Sequence, residues 1–178
     1  KIPVPSLDIQ NNLVNELNKY QNVVDGCNKV IDNYKPVIDI NSKWQIRELS
    51  EITTKITDGT HQTPNYTDEG IPFLRVTDIT QKNGSKKFIS EKEHAALIKR
   101  CKPEKGDILY SKNGTIGVSK LIDWDYEFSI FVSLCLIKPD KKIVMSEYLS
   151  EILNTSYVHN QSKKLTKTGT VSNLHLSE

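Results

Sequence analysis

Asp107-Ile108-Leu109-Tyr110-Ser111-Lys112-Asn113-Gly114-Thr115-Ile116-Gly117-Val118 is the stretch that decides the fold. Two apolar runs, Asp107 to Tyr110 and Thr115 to Val118, flank Lys112-Asn113-Gly114. Asn-Gly between such runs is the strongest short hairpin signal, because a tight hairpin turn needs positive φ and these residues adopt it at least cost. Upstream, Ser50 to Thr57 is rich in β-branched Ile and Thr and favours strand. Ile71-Pro72-Phe73-Leu74-Arg75-Val76 reads as another strand, its proline near the start. Ser90 and Glu93 form a capping-box pattern ahead of Ala95, Ala96, Leu97 and Ile98, so a short helix follows. Downstream, Phe128 to Ile137 reads as one buried strand ended by Pro139, and Ser146 opens a helix to about Val158. Thr168-Gly169-Thr170-Val171 reads as a turn into a last short strand. Strands mixed with short helices predict one α/β (α+β) domain over residues 41–178, with a mixed, twisted sheet.

Residues 1–40 follow a different rule. From Leu13 the apolar or aromatic positions are Leu13, Leu17, Tyr20, Val24, Cys27, Ile31, Tyr34 and Ile38, at alternating steps of four and three. That alternation is the a/d seam of a helix packed along a partner helix. Asn11, Asn15, Asn18, Asn22 and Asn28 fall elsewhere and make a polar outer face. Ser6 or Asp8 is placed to cap the start, and Pro36 must end or kink the helix. The spacing predicts one long, coiled-coil-forming helix at about 7–35. Its narrow stripe needs a partner helix, from the same full-length protein or from a second copy.

Composition bounds the function classes. The chain has 178 residues, 37 % hydrophobic and 26 % charged, which is too apolar for a disordered chain. It has no apolar run long enough to span a bilayer and no apolar signal core in Lys1 to Gln10. It lacks an initiator Met and so reads as a processed or excised piece. Cys27, Cys101 and Cys135 are widely spaced and odd in number, which fits reduced, cytoplasmic thiols. The formal charge of +2 is uneven: −1 over residues 1–40 and +3 beyond. Bases cluster at Lys82, Lys86 and Lys87, at Lys99, Arg100, Lys102 and Lys105, and at Lys163, Lys164 and Lys167. Such patches bind phosphate even when the total is near neutral.

Catalytic signals are sparse. The chain has no Gly-rich phosphate loop, no Cys or His pair at metal spacing and no Asn/Asp-Pro-Pro-aromatic tetrapeptide for a flipped adenine. His61, His94, His159 and His175 are dispersed, and Ser111 and Ser129 have no His partner evident in the sequence. Three small polar, glycine-bearing loops remain: Thr57 to Pro64, Ser111 to Thr115 and Lys163 to Thr170. Short hydroxyl and amide side chains suit base edges and phosphates, Lys and Arg add charge, and glycine admits close backbone approach. Any one of these loops alone reads equally as a turn.

Taken together, the motifs resemble a known family. Thr57-Asp58-Gly59-Thr60-His61 through Pro64, followed by Ile71-Pro72-Phe73-Leu74-Arg75-Val76-Thr77-Asp78-Ile79, resembles the opening of a target recognition domain of type I restriction–modification specificity subunits. Gly106 to Gly117 resembles the family's second hallmark. Ile2 to Gln10 resembles the lead-in to its long spacer helix, with Pro5-Ser6 where the family more often has Pro-Pro. The family joins two recognition domains, each followed by a long helix, with the helices antiparallel. The resemblance therefore implies one repeat cut as spacer helix (1–40) plus downstream recognition domain (41–178), either an excised half or a natural half-subunit that pairs with another copy.

What the resemblance implies is recognition without catalysis in this chain. The domain would read half of a bipartite double-stranded DNA target in the cytoplasm. The chain would need no cofactor. Modification subunits would use S-adenosylmethionine to methylate a flipped adenine, and a restriction subunit would use ATP and Mg to cut unmodified DNA. Candidate DNA-contacting residues are Lys55, Thr60, His61, Arg75, Thr77, Lys112, Asn113, Lys163, Lys164, Lys167 and Thr170. Arg75 and the polar loop residues would reach base edges and the lysines phosphates, although Arg75 also reads as a strand-edge salt-bridge residue. Two alternatives stand beside this reading: the recognition region of a fused restriction–methylation enzyme, and a helix-mediated assembly module that binds protein and not DNA.

Overall fold

A computed structural model describes residues 2–34, 36–81, 87–165 and 174. The chain divides into two units, residues 1–35 and 36–178.

The first unit is helix α1, Leu7–Asn33, about 40 Å long at 1.5 Å per residue. Ser6 occupies the N-cap position without a side-chain cap, and Asp8 lies in the positive first turn. Tyr34 ends the helix in extended conformation, two residues before Pro36. Pro36 lacks an N–H and cannot continue a helix, and the helix ends at Asn33 ahead of it. Ile38 lies beyond that stop, so it is not a helical member of the seam. Leu13, Leu17, Tyr20, Val24, Cys27 and Ile31 are, and all six are exposed.

The second unit holds two four-stranded sheets. The first has order β1-β8-β5-β6 and is antiparallel throughout, with β1 Thr53–Asp58, β5 Ile108–Ser111, β6 Ser119–Leu121 and β8 Leu134–Pro139. Side chains alternate across its central strands. Leu109, Leu134 and Leu136 join Leu74, Ile122, Phe128 and Ile130 on one side. Ile108, Tyr110, Cys135 and Ile137 pack on the other against Leu149 and Leu153 of helix α4, Ser146–Leu153. Burial on both faces explains why β5 and β8 read as continuous apolar runs rather than alternating ones.

The second sheet has order β2-β4-β3-β7, with β2 Tyr66–Thr67, β3 Ile71–Leu74, β4 Phe88–Ile89 and β7 Ser129–Ile130. Its β3–β7 pair is parallel, which makes the sheet mixed. Short helices α2, Val76–Thr80, and α3, Glu91–Leu97, follow β3 and β4. The Ser90 hydroxyl accepts the Glu93 amide at 3.2 Å and caps α3, as the capping-box pattern requires. Helix α5, Ser156–Leu165, follows α4.

Four elements differ from the sequence reading. The Asn-Gly stretch turns more widely than a tight hairpin: β5 pairs with Ser119–Leu121, not with Thr115–Val118. Gly114 and Gly117 both take positive φ, and the Gly117 amide bonds back to the Ser111 carbonyl at 3.0 Å, so residues 112–118 form a loop. The run from Phe128 to Ile137 is two strands in different sheets, broken at Phe131–Ser133. The strand at Ile71 ends at Leu74, because Val76 starts α2. The helix from Ser146 is two, parted at Asn154 and Thr155, where the Asn154 side chain bonds the Ser119 backbone at 2.8 and 3.1 Å instead. The expected strand at Thr168–Val171 lies outside the described residues.

Candidate nucleic-acid interface

The Phe131–Ser133 turn gathers two of the polar loops and the β3–α2 junction. Its Phe131 amide donates to the Leu74 carbonyl at the end of β3 (2.9 Å), and its Val132 amide to the Thr60 carbonyl (2.9 Å). The Ser133 hydroxyl accepts from the Val76 amide at 3.1 Å, and the Ser133 carbonyl from the Lys112 amide at 3.1 Å. Segments 58–62, 74–77 and 112–113, far apart in sequence, thus meet on one turn. Gly59 makes this close approach possible, since a Cβ there would collide with the Ile130 carbonyl.

Asp58, the last residue of β1, is the electrostatic centre. Lys112 Nζ donates to its Oδ2 at 3.2 Å, His61 Nε2 lies 2.9 Å from the same oxygen, and Arg100 Nη2 donates to Oδ1. Burial raises the Asp58 pKa, but the Lys112 and His61 contacts outweigh it and hold the carboxyl below its ordinary value. The side chains of Asp58 and Lys112 are 12 % and 8 % exposed, whereas those of Arg100 and His61 are 56 % and 62 %. The inner pair is thus sealed and the outer two bases face solvent. Lys55 joins them, its Nζ donating to the Arg100 carbonyl at 2.5 Å. A cavity of about 410 Å³ opens beside the cluster, lined in part by Thr60, His61, Gln62, Arg100 and Ser129.

The structure brings Lys55, Thr60, His61, Lys112 and Asn113 into this neighbourhood, with Arg75 and Thr77 joined to it through Val76. Lys112 is a correction to the reading of it as a phosphate-facing lysine: it is buried and spent on Asp58. Arg75 pairs with Asp78 at 3.3 Å, three residues on, which is its salt-bridge reading. Thr77 is exposed on α2. Asn113 holds a buried Oδ1 that accepts no hydrogen bond among the described residues. Lys163 and Lys164 are exposed in the last turn of α5, where cations suit the helix dipole. That helix is held to the central sheet by the bond between Tyr110 Oη and Ser162 Oγ at 2.8 Å, and His159 occupies the space a Gly117 side chain would need. Lys167 and Thr170, like Lys82 and Lys86, lie outside the described residues.

Sequence reasoning missed two groups. Asp58 was legible only as a member of the Thr57–Pro64 loop, and Arg100 as one base in a run. Ser129 does have a histidine partner: His94 Nδ1 lies 2.9 Å from its hydroxyl, both side chains buried, tying α3 to β7. Glu127 stands 3.7 Å from His94 Nε2. Among the described residues no group of three or more His, Cys, Asp or Glu is placed to hold a metal ion, and no helix is long and apolar enough to cross a membrane.

A model of the family described as type I restriction modification DNA specificity domain matches residues 41–178. No curated protein sequence matches the chain. Among solved structures, the HsdS subunit from Thermoanaerobacter tengcongensis is similar over 94 % of this chain and 44 % of its own, with TM-score 0.53 and 16 % identity. A type I restriction-modification S subunit from M. genitalium is similar over 81 % of this chain and 35 % of its own, with TM-score 0.52 and 16 % identity. At that identity the likeness is one of fold, and the chain spans less than half the length of either structure. The matched residues take in the whole Asp58 cluster and the turn that gathers the loops: the chain belongs to the type I restriction modification DNA specificity domain family.

Proposed function

We propose that the chain is a DNA-recognition half of a type I specificity subunit, reading one half of a bipartite duplex target and catalysing nothing itself. The observation that carries this is the convergence of two polar loops and the β3–α2 junction on the Phe131–Ser133 turn, beside a cluster in which bases outnumber the acid Asp58. Such a surface offers hydroxyls and amides for base edges and cations for phosphates, the two classes of contact that duplex recognition needs. On this reading, separate modification subunits bind S-adenosylmethionine and methylate adenine where the chain has docked. A restriction subunit supplies ATP- and Mg-dependent cleavage, and all of this happens in the cytoplasm. The seam on α1 pairs with the helix of a second recognition repeat or a second copy, and its length sets the separation of the two half-sites.

The test is duplex binding across a salt series. A recognition domain loses affinity steeply as salt rises, because phosphate contacts release counterions. A helix-mediated assembly module forms no salt-sensitive duplex complex, and that result would overturn the reading.

A further inference from the structure

We propose that Arg100 and His61, held over Asp58 at the mouth of the 410 Å³ cavity, form a subsite for a backbone phosphate of the duplex. This rests on the reading of the chain as a DNA-recognition domain and deepens it. It assigns the Thr57–His61 loop to the sequence-blind part of recognition and adds a residue, Arg100, outside the loops.

The geometry of Arg100 carries the inference. One nitrogen, Nη2, is anchored on three oxygens: Asp58 Oδ1, the Asp58 carbonyl at 2.7 Å and the Gly59 carbonyl at 2.9 Å. A guanidinium has five N–H donors in a rigid plane. Among the described residues, Nε and Nη1 have no protein partner, and the side chain is more than half exposed. The plane is therefore fixed at its Nη2 corner, while the Nη1 and Nε donors remain open. Each pre-oriented, charged N–H on Nη1 or Nε can donate singly to a phosphodiester oxygen and loses little entropy on binding. His61 repeats the pattern: Nε2 is anchored on Asp58, Nδ1 has no protein partner among the described residues, and the ring is exposed on the same cavity.

Charge favours an anion. The buried Lys112 already balances the Asp58 carboxylate, so the Arg100 charge is in excess, and Lys55 adds another beside it. Among the described residues, no acidic side chain lines the cavity. Thr60 and Gln62 offer neutral polar groups at its rim. Asp58 is then a positioning residue: it aims two cations outward without contacting the ligand.

The experiment compares the 178-residue chain with Arg100→Gln and Arg100→Lys, measuring affinity for a target duplex and a scrambled duplex across a salt series. Expected for Arg100→Gln is an affinity loss of about tenfold, alike on both duplexes, and a log–log salt slope shallower by about 0.9, the value of one phosphate contact. Arg100→Lys keeps the charge and should keep the slope. If Arg100 only clips α3 to β1, both variants lose affinity at an unchanged slope, which overturns the proposal. So does a loss confined to one sequence, which marks a base contact. As a check independent of variants, the His61 ring resonances of the wild-type chain should move on adding the scrambled duplex. Movement with millimolar inorganic phosphate but none with duplex would contradict the assignment to DNA. Absence of any salt-sensitive duplex complex in the wild type overturns the recognition reading as well, whereas wild-type binding with an unaltered Arg100→Gln slope overturns the subsite alone.

Discussion

The hydroxyl of Ser133 accepts the backbone amide of Val76 at 3.1 Å, joining two residues 57 positions apart. The same residue's carbonyl takes the Lys112 amide, so one buried serine holds the α2 start and the 112–118 loop together. Ser133→Ala leaves the Val76 amide without this acceptor. A loss of about 1–3 kcal/mol in urea unfolding is expected, with weaker binding of the target duplex because the loops lose their common anchor. An unchanged midpoint would show that the turn does not depend on this bond.

Asp58 and Lys112 respond differently to removal. Asp58→Ala strands a buried ammonium, and removing one partner of a buried pair costs about 3–5 kcal/mol. Lys112→Met leaves Asp58 with Arg100 and His61 and replaces the stem with an apolar one, so it should cost less. It should also leave the salt slope of duplex binding unaltered, since Lys112 faces no phosphate. A slope shallower by about 0.9 in Lys112→Met would restore it as a phosphate contact.

The Asp58 cluster also sets a pH response. Its carboxyl pKa is lowered on folding, so the stabilisation is fully present above the unfolded value of about 3.9 and is lost as pH falls through the folded one. The stability difference between wild type and Asp58→Asn should therefore shrink as pH drops from 5 to below 3.9. Urea unfolding at several pH values measures this, and a difference that stays constant would mean that folding leaves the Asp58 pKa unshifted.

The three thiols separate by burial. Cys101 is pushed up to about 11 and Cys135 to about 12, each chiefly by burial, and both are shielded from reagent. Cys27 is exposed on the α1 seam. An aromatic disulfide reagent at pH 8 should label one thiol fast in the native chain and three in denaturant. Helix pairing should protect Cys27, and Asp at Leu17 and Val24 should restore its labelling. Equal labelling with and without the partner helix would refute pairing through this seam.

Much of the fold was legible because local patterns dictated it. The four-three alternation marked α1, Ser90 with Glu93 marked α3, and the apolar runs marked β5 and β8. What was hidden depends on contacts between distant residues. An apolar run carries no mark of the corner at Phe131–Ser133, where the chain leaves one sheet for the other. Asp58 meets Arg100 and Lys112 across 42 and 54 positions, so apart from His61 the members of this cluster share no local spacing. His94 and Ser129 hid for the same reason, 35 residues apart. Lys163 and Lys164 were visible as charge, and their exposure on α5 agrees with a solvent-facing role, but charge alone does not say what they meet.

The decisive measurement is a map of modified adenines in cells that co-express the chain with modification subunits, alongside cells that lack the chain. Expected is methylation at one recurring sequence that depends on the chain and changes or vanishes when Thr77 and Asn113 are altered together. Methylation at the same sequence without the chain, or unaffected by those changes, would contradict the claim that this chain reads the DNA.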